Sequence, residues 1–148
     1  DRAHPGAWCA AGNALSLQRD PEGALRAFGR ARRLAPRDPY PWALSGHERA
    51  ARDAAPEGAE AAYRKALELD PRCFTAWCGL GQLYQRAERP ELAEFHFRRA
   101  LLLHPRSAPA LCLLAAALAQ GGRPEEAVAA LGRAIALGDP HPDGGGGG

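Results

Sequence analysis

The chain has 148 residues, 46% of them apolar and 24% charged, enough for one domain with a modest core. Its formal net charge of +2 argues against a partner recognised by bulk charge, and no nucleic-acid or membrane partner is expected. Four cysteines without CxxC spacing, and no signal-peptide pattern, argue against a zinc site or a disulfide framework and for reduced, mostly buried thiols.

The first predicted helix carries Trp8, Ala11, Gly12 and Leu15 at spacings of three and four, which places them on one face. Cys9, Asn13 and Ser16 form the adjacent stripe. A second helix opens at Asp20-Pro21-Glu22, where Pro suits the first helical position and an acid the first turn. It carries Ala24, Phe28 and Ala31, and Pro36 follows. The next pair repeats these marks with Trp42 and Gly46, then, after one extra residue between Asp53 and Pro56, with Ala59, Tyr63, Ala66 and Pro71. The third pair has Trp77, Leu80, Gly81 and Tyr84, a restart at Pro90-Glu91, then Ala93, Phe97, Ala100 and Pro105. The fourth is degenerate: Leu111, Leu114, Ala115 and Leu118, a restart at Pro124-Glu125-Glu126, then Ala127, Leu131, Ala134 and Pro140.

Trp8, Trp42 and Trp77 stand 34 and 35 residues apart, and Leu111 lies another 34 on. This period divides the chain into repeats at 5–38, 39–73, 74–107 and 108–141, with 142–148 a disordered glycine tail. Helices of about 13 residues are unstable alone, so each must bury its apolar stripe on neighbours. Gly12, Gly46, Gly81 and Ala115 are expected to let helices approach closely. The three Trp are expected to fill the core, each worth roughly 3 kcal/mol on full burial. Nothing after the helix at 124–137 is suited to cover Val128, Leu131 and Ile135. With no Met in the chain, the segment reads as part of a longer superhelix, or as one with an apolar end.

The marks resemble the tetratricopeptide repeat, W-x2-L-G-x2-Y, then A-x3-F, then P, over residues 5–141. The expected fold is therefore all-α, a tetratricopeptide-repeat superhelix (α-solenoid) of about four helix pairs. In that family the stripe beside the Trp lines a concave groove. The candidate groove residues are Cys9, Asn13 and Ser16, then His47 with Glu48 at its edge, then Cys78, Gln82 and Gln85. Cys9, Cys78 and Cys112 occupy equivalent places, so periodicity accounts for them better than a nucleophile does. A Cys9–His47–Asn13 set would also lack a Gly-rich oxyanion loop, and no catalytic activity is expected. Amide side chains donate and accept, which suits an extended peptide backbone, and Glu48 suits a ligand Arg. The same residues also fit a solvated polar face with no ligand. His96 reads as a packed or surface helix residue, and no metal or cofactor is expected. The chaperone-tail clamp is absent, since Cys9 stands where its first Lys belongs and Thr75 and Gly79 replace its last Lys and Arg.

A narrower resemblance rests on letters the repeat core does not require: WCAAGNALSLQ at 8–18, SGHE at 45–48, AWCGLGQLY at 76–84 and LAEFHFRRAL at 92–101. These runs look like the C-terminal repeats of the tetratricopeptide scaffold subunits of the anaphase-promoting complex, most of all the coactivator-capturing one. The resemblance implies a non-catalytic scaffold of a cell-cycle ubiquitin ligase, in nucleus and cytoplasm. It implies partners that are coactivator C-terminal Ile-Arg tails and neighbouring scaffold subunits. It also implies a homodimeric parent whose dimerising repeats are missing here, so that the fragment is expected to be monomeric or to associate through its uncapped ends. A general interaction array unrelated to ubiquitin ligation, or the regulatory arm of an enzyme, remains the alternative.

Overall fold

A computed structural model describes residues 4–53 and 55–138. The expectations placed on Pro140 and His141 and on the tail at 142–148 lie outside them. The described residues form eight α-helices: α1 (Pro5–Leu17), α2 (Pro21–Leu34), α3 (Tyr40–Arg52), α4 (Glu57–Leu69), α5 (Phe74–Arg86), α6 (Pro90–Leu103), α7 (Ala108–Gln120) and α8 (Pro124–Gly138). No strand occurs among these residues. The chain divides into two compact units, Asp1–Gly79 and Leu80–Gly148.

Local chemistry sets the helix starts. Pro21, Pro90 and Pro124 open α2, α6 and α8, where a missing N–H costs nothing. The Asp20 carboxylate accepts from the Gly23 N–H at 2.9 Å, and Ser107 Oγ from the Ala110 N–H at 3.3 Å. His4, which lies ahead of the repeats, caps α1 by accepting from the Ala7 N–H at 3.2 Å. Each contact satisfies a donor the helix leaves open. One turn geometry recurs inside three hairpins. Arg19, Glu88 and Gly122 adopt φ of 61°, 59° and 78°. The N–H of the next residue then reaches back to Leu15, Tyr84 or Leu118 O, at 2.9 Å each time. Only the last turn places glycine there, the residue for which this region carries no steric cost.

In the first unit α1 packs on α2, α2 on α3 and α3 on α4. The packing rule is large on small. Phe28 of α2 seats on Gly12 of α1, and the Tyr63 ring lies against Gly46 and Gly79. A Cβ at Gly46 would stand 2.6 Å from the Tyr63 ring, inside any real contact distance. In the second unit Phe97 of α6 seats on Gly81 in the same way, and α7 packs against both α6 and α8.

Phe28, Tyr63 and Phe97 are each at most 1% exposed, so the aromatic ring of the second helix is the core of its hairpin. The expectation of fully buried Trp is corrected, since Trp8, Trp42 and Trp77 are all half-buried. An indole has a polar edge and a cation-attracting face, and each finds a partial outlet. Arg30 lies 4.8 Å over Trp8, Arg32 lies 4.2 Å over Trp42, and Trp77 Nε1–H donates to Pro71 O at 2.8 Å. Ala11, placed on the core stripe, is exposed. On α8, Ala127, Ala130 and Ala134 are buried, whereas Val128, Leu131 and Ile135 are 67%, 41% and 74% exposed. That uncovered apolar face is the one the sequence pattern anticipates.

Candidate functional site

The stripe beside the Trp positions is built first on α1 and α3, which touch within the first unit. Asn13 is exposed on α1 and Ser16, almost one turn further, is half-buried. Cys9 departs from its expected place in an open groove, because it is only 6% exposed. Burial, and secondarily the Asp38 carboxylate, pushes its thiol pKa up. Cys9 is therefore a packing residue, because the start of the stripe turns inward where α1 meets its neighbours.

On α3 the equivalent of Asn13 is His47, whose ring is exposed. Its Nδ1 lies 2.8 Å from Tyr63 Oη, with the two rings edge-on at 5.4 Å. Tyr63 is held by Gly46 and Gly79, so a buried, immobile hydroxyl positions an exposed imidazole. Glu48 is half-buried beside it. Thus Asn13, Ser16, His47 and Glu48 come from neighbouring helices of one unit.

Cys78, on the part of α5 within the first unit, is half-buried. Desolvation pushes its thiol up to about 11. Cys73 is also raised, by burial above all. These thiols are protonated at neutral pH and make poor nucleophiles. Gln82 and Gln85 fall in the second unit and are half-buried. The Gln85 carbonyl accepts from Gln120 Nε2 at 3.2 Å, which ties the end of α5 to the end of α7.

Two arrangements escaped the sequence reading. Arg32 Nη1 donates to Ser45 Oγ at 3.0 Å, and Ser45 Oγ donates to Pro41 O at 2.9 Å. Arg32 thereby joins α2 to α3, its pKa lowered by burial and by Arg49 and Arg33. The available signal was Ser45 itself, a polar residue where the later repeats hold Leu80 and Leu114. The second is the Tyr63–His47 bond. Tyr63 replaces the Phe28 and Phe97 of other repeats in the same unit where His47 replaces Asn13 and Gln82. His96 is buried at 7% exposure, with Nδ1 2.8 Å from Leu92 O and its ring 4.9 Å from that of Tyr84.

The face on α1 and α3 offers an amide, a hydroxyl, an imidazole and a carboxylate, a set able to hydrogen-bond a peptide and pair with a cation. Among the described residues no group of three His, Cys, Asp or Glu is placed to hold a metal. No described helix is long and apolar enough to cross a membrane.

A family model described as tetratricopeptide repeat matches residues 48–95 and 78–144. The chain is 43% identical over 86 residues to Protein bimA of Emericella nidulans, covering 58% of this chain and 10% of that protein. It is 41% identical over 88 residues to Cell division cycle protein 27 homolog of Caenorhabditis elegans, covering 60% and 11%. It is 38% identical over 85 residues to Anaphase-promoting complex subunit 3 of Schizosaccharomyces pombe, covering 57% and 13%. The chain thus spans about a tenth of the length of these curated relatives. Among solved structures, MamA superposes with a TM-score of 0.76 at 16% identity, covering 98% of this chain and 79% of that one. At that identity the likeness concerns the fold, which is an all-α array of tetratricopeptide hairpins.

Proposed function

Because the chain belongs to the tetratricopeptide repeat family, we propose that it is a non-catalytic segment of an anaphase-promoting-complex scaffold subunit that captures C-terminal peptide tails. The observation that carries this reading is the likeness to Anaphase-promoting complex subunit 3 and Cell division cycle protein 27 homolog. It is supported by a polar, weakly charged stripe on the first helices.

In this reading Asn13 and Ser16 hydrogen-bond the ligand backbone, His47 is held in place by Tyr63, and Glu48 pairs with the ligand's terminal Arg. Gln82 and Gln85, in the second unit, carry amides of the same kind. The parent acts in nucleus and cytoplasm, as a homodimer beside neighbouring scaffold subunits, whereas this segment is monomeric. The ligand is a coactivator tail ending in Ile-Arg.

Fluorescence anisotropy with a labelled peptide ending in Ile-Arg tests the reading. The free-acid peptide binds saturably, its amidated twin binds more weakly, and Glu48→Ala weakens binding by about tenfold, the loss of one charge-assisted contact. Equal binding of the two peptides, or none by folded protein, removes tail capture and leaves an interaction module whose contacts lie elsewhere.

A further inference from the structure

Helix α6 carries two large apolar side chains on its solvent side. Phe95 is 52% exposed and Leu102 is 73% exposed. They are two helical turns apart and share a face. The repeat does not require them. With Phe28, Tyr63, Phe97 and Leu131 aligned, their places hold Arg26 and Arg33 in the first hairpin, Ala61 and Glu68 in the second, and Ala129 and Ala136 in the fourth. All of these are exposed, so the position faces solvent in every repeat, and only the third fills it with large apolar groups.

Beside the pair lies an open cleft of about 590 Å³. Leu114 of α7 contributes to its lining, together with Arg98 and Arg99 of α6 and Arg133 of α8. Among the described residues no carboxylate lines it. Arg98 shares its charge with Glu94 at 3.2 Å and more loosely with Glu126 at 3.9 Å. The Arg99 guanidinium lies 5.7 Å over the Phe95 ring, so the apolar surface and the cationic edge are contiguous. The volume falls within the roughly 300–1,000 Å³ of clefts that hold ligands.

We infer that this cleft docks an acidic, amphipathic segment of a partner protein. Its apolar side chains lie on Phe95 and Leu102, and its carboxylates face Arg98, Arg99 and Arg133. A contiguous exposed apolar patch edged by one sign of charge calls for an occupant of the opposite sign. A second copy of this chain fits poorly, because a two-fold contact on this face sets arginine against arginine. The cleft is built on α6, α7 and α8, whereas the proposed tail-binding face is built on α1 and α3, so the two proposals stand or fall separately.

The test uses the whole chain and a fluorescein-labelled helical peptide with Leu and Phe along one face and Glu along the other. A twin carries Lys for every Glu. The acidic peptide binds saturably, and the Lys twin binds at least about tenfold more weakly. The double variant Phe95→Ala/Leu102→Glu carries the residues the second hairpin already tolerates. It keeps the helical circular-dichroism spectrum and loses at least about tenfold in affinity, as does Arg133→Glu. Equal binding of both peptides, no binding of the acidic one, or folded variants that bind unchanged would overturn the inference. So would concentration-dependent self-association of the chain that the double variant abolishes, since a second copy would then be the occupant.

Discussion

Glu88 holds a left-handed backbone at φ 59° where the equivalent residue of the fourth hairpin is glycine. Such a conformation strains a side-chain-bearing residue, and Glu88 is exposed. Glu88→Gly is therefore expected to stabilise the chain by about 0.5–1 kcal/mol, read as a higher urea midpoint at unchanged slope. Gly46 is the opposite case. A Cβ there would meet the Tyr63 ring at 2.6 Å, and that ring is also held by Gly79. Gly46→Ala should cost about 1–3 kcal/mol through overpacking, and it should disturb His47 through its bond to Tyr63. The cysteines separate by burial. Folding favours the neutral Cys78 thiol, so the folded pKa of about 11 lies above the ordinary 9.0. The corresponding stability is complete below pH 9.0 and is lost as pH rises toward about 11. Iodoacetamide at mildly alkaline pH should label the exposed Cys112 first, and the buried Cys9 and the raised-pKa Cys78 last, by peptide mapping.

At the scale of the helix, α6 and α8 are joined through the turn before α8. Arg123 pairs with Glu94 at 2.7 Å and also with Glu126, and Arg98 reaches the same Glu94. Ion pairs of this kind are screened by salt. Glu94→Gln should lower the melting temperature in low salt, with the difference shrinking near molar salt, and a salt-independent deficit would mean that Glu94 acts by packing. The helices themselves were legible because the 34- to 35-residue period repeats residue types whose chemistry is local: Pro and acid at starts, small residues at crossings, aromatics opposite them. What the pattern concealed depends on partners from other helices. The repeat mark at Trp8, Trp42 and Trp77 looks like a core position, yet Arg30, Arg32 and Pro71 O hold those rings half-buried. Likewise the stripe of Cys9, Asn13 and Ser16 is continuous on a single helix, and only packing turns Cys9 inward while Asn13 stays exposed. The Tyr63–His47 bond spans 16 residues and two helices, beyond the reach of any helical periodicity.

Across the molecule, the polar stripe and the exposed Phe95 and Leu102 lie on different helices. First helices carry the amide, imidazole and carboxylate stripe, and the third repeat's second helix carries the exposed Phe95 and Leu102. The small net charge of +2 fits partners read by local contacts rather than by a long-range field. The claim at the centre of this account is that the first-helix face receives a peptide terminus. Its most direct test is an amide chemical-shift titration of the isotopically labelled chain with the free-acid peptide ending in Ile-Arg. The account predicts saturating shifts centred on Asn13, His47 and Glu48, reached only at higher concentration with the amidated twin. Shifts confined to α6, α7 and α8, or none at millimolar peptide, would contradict it.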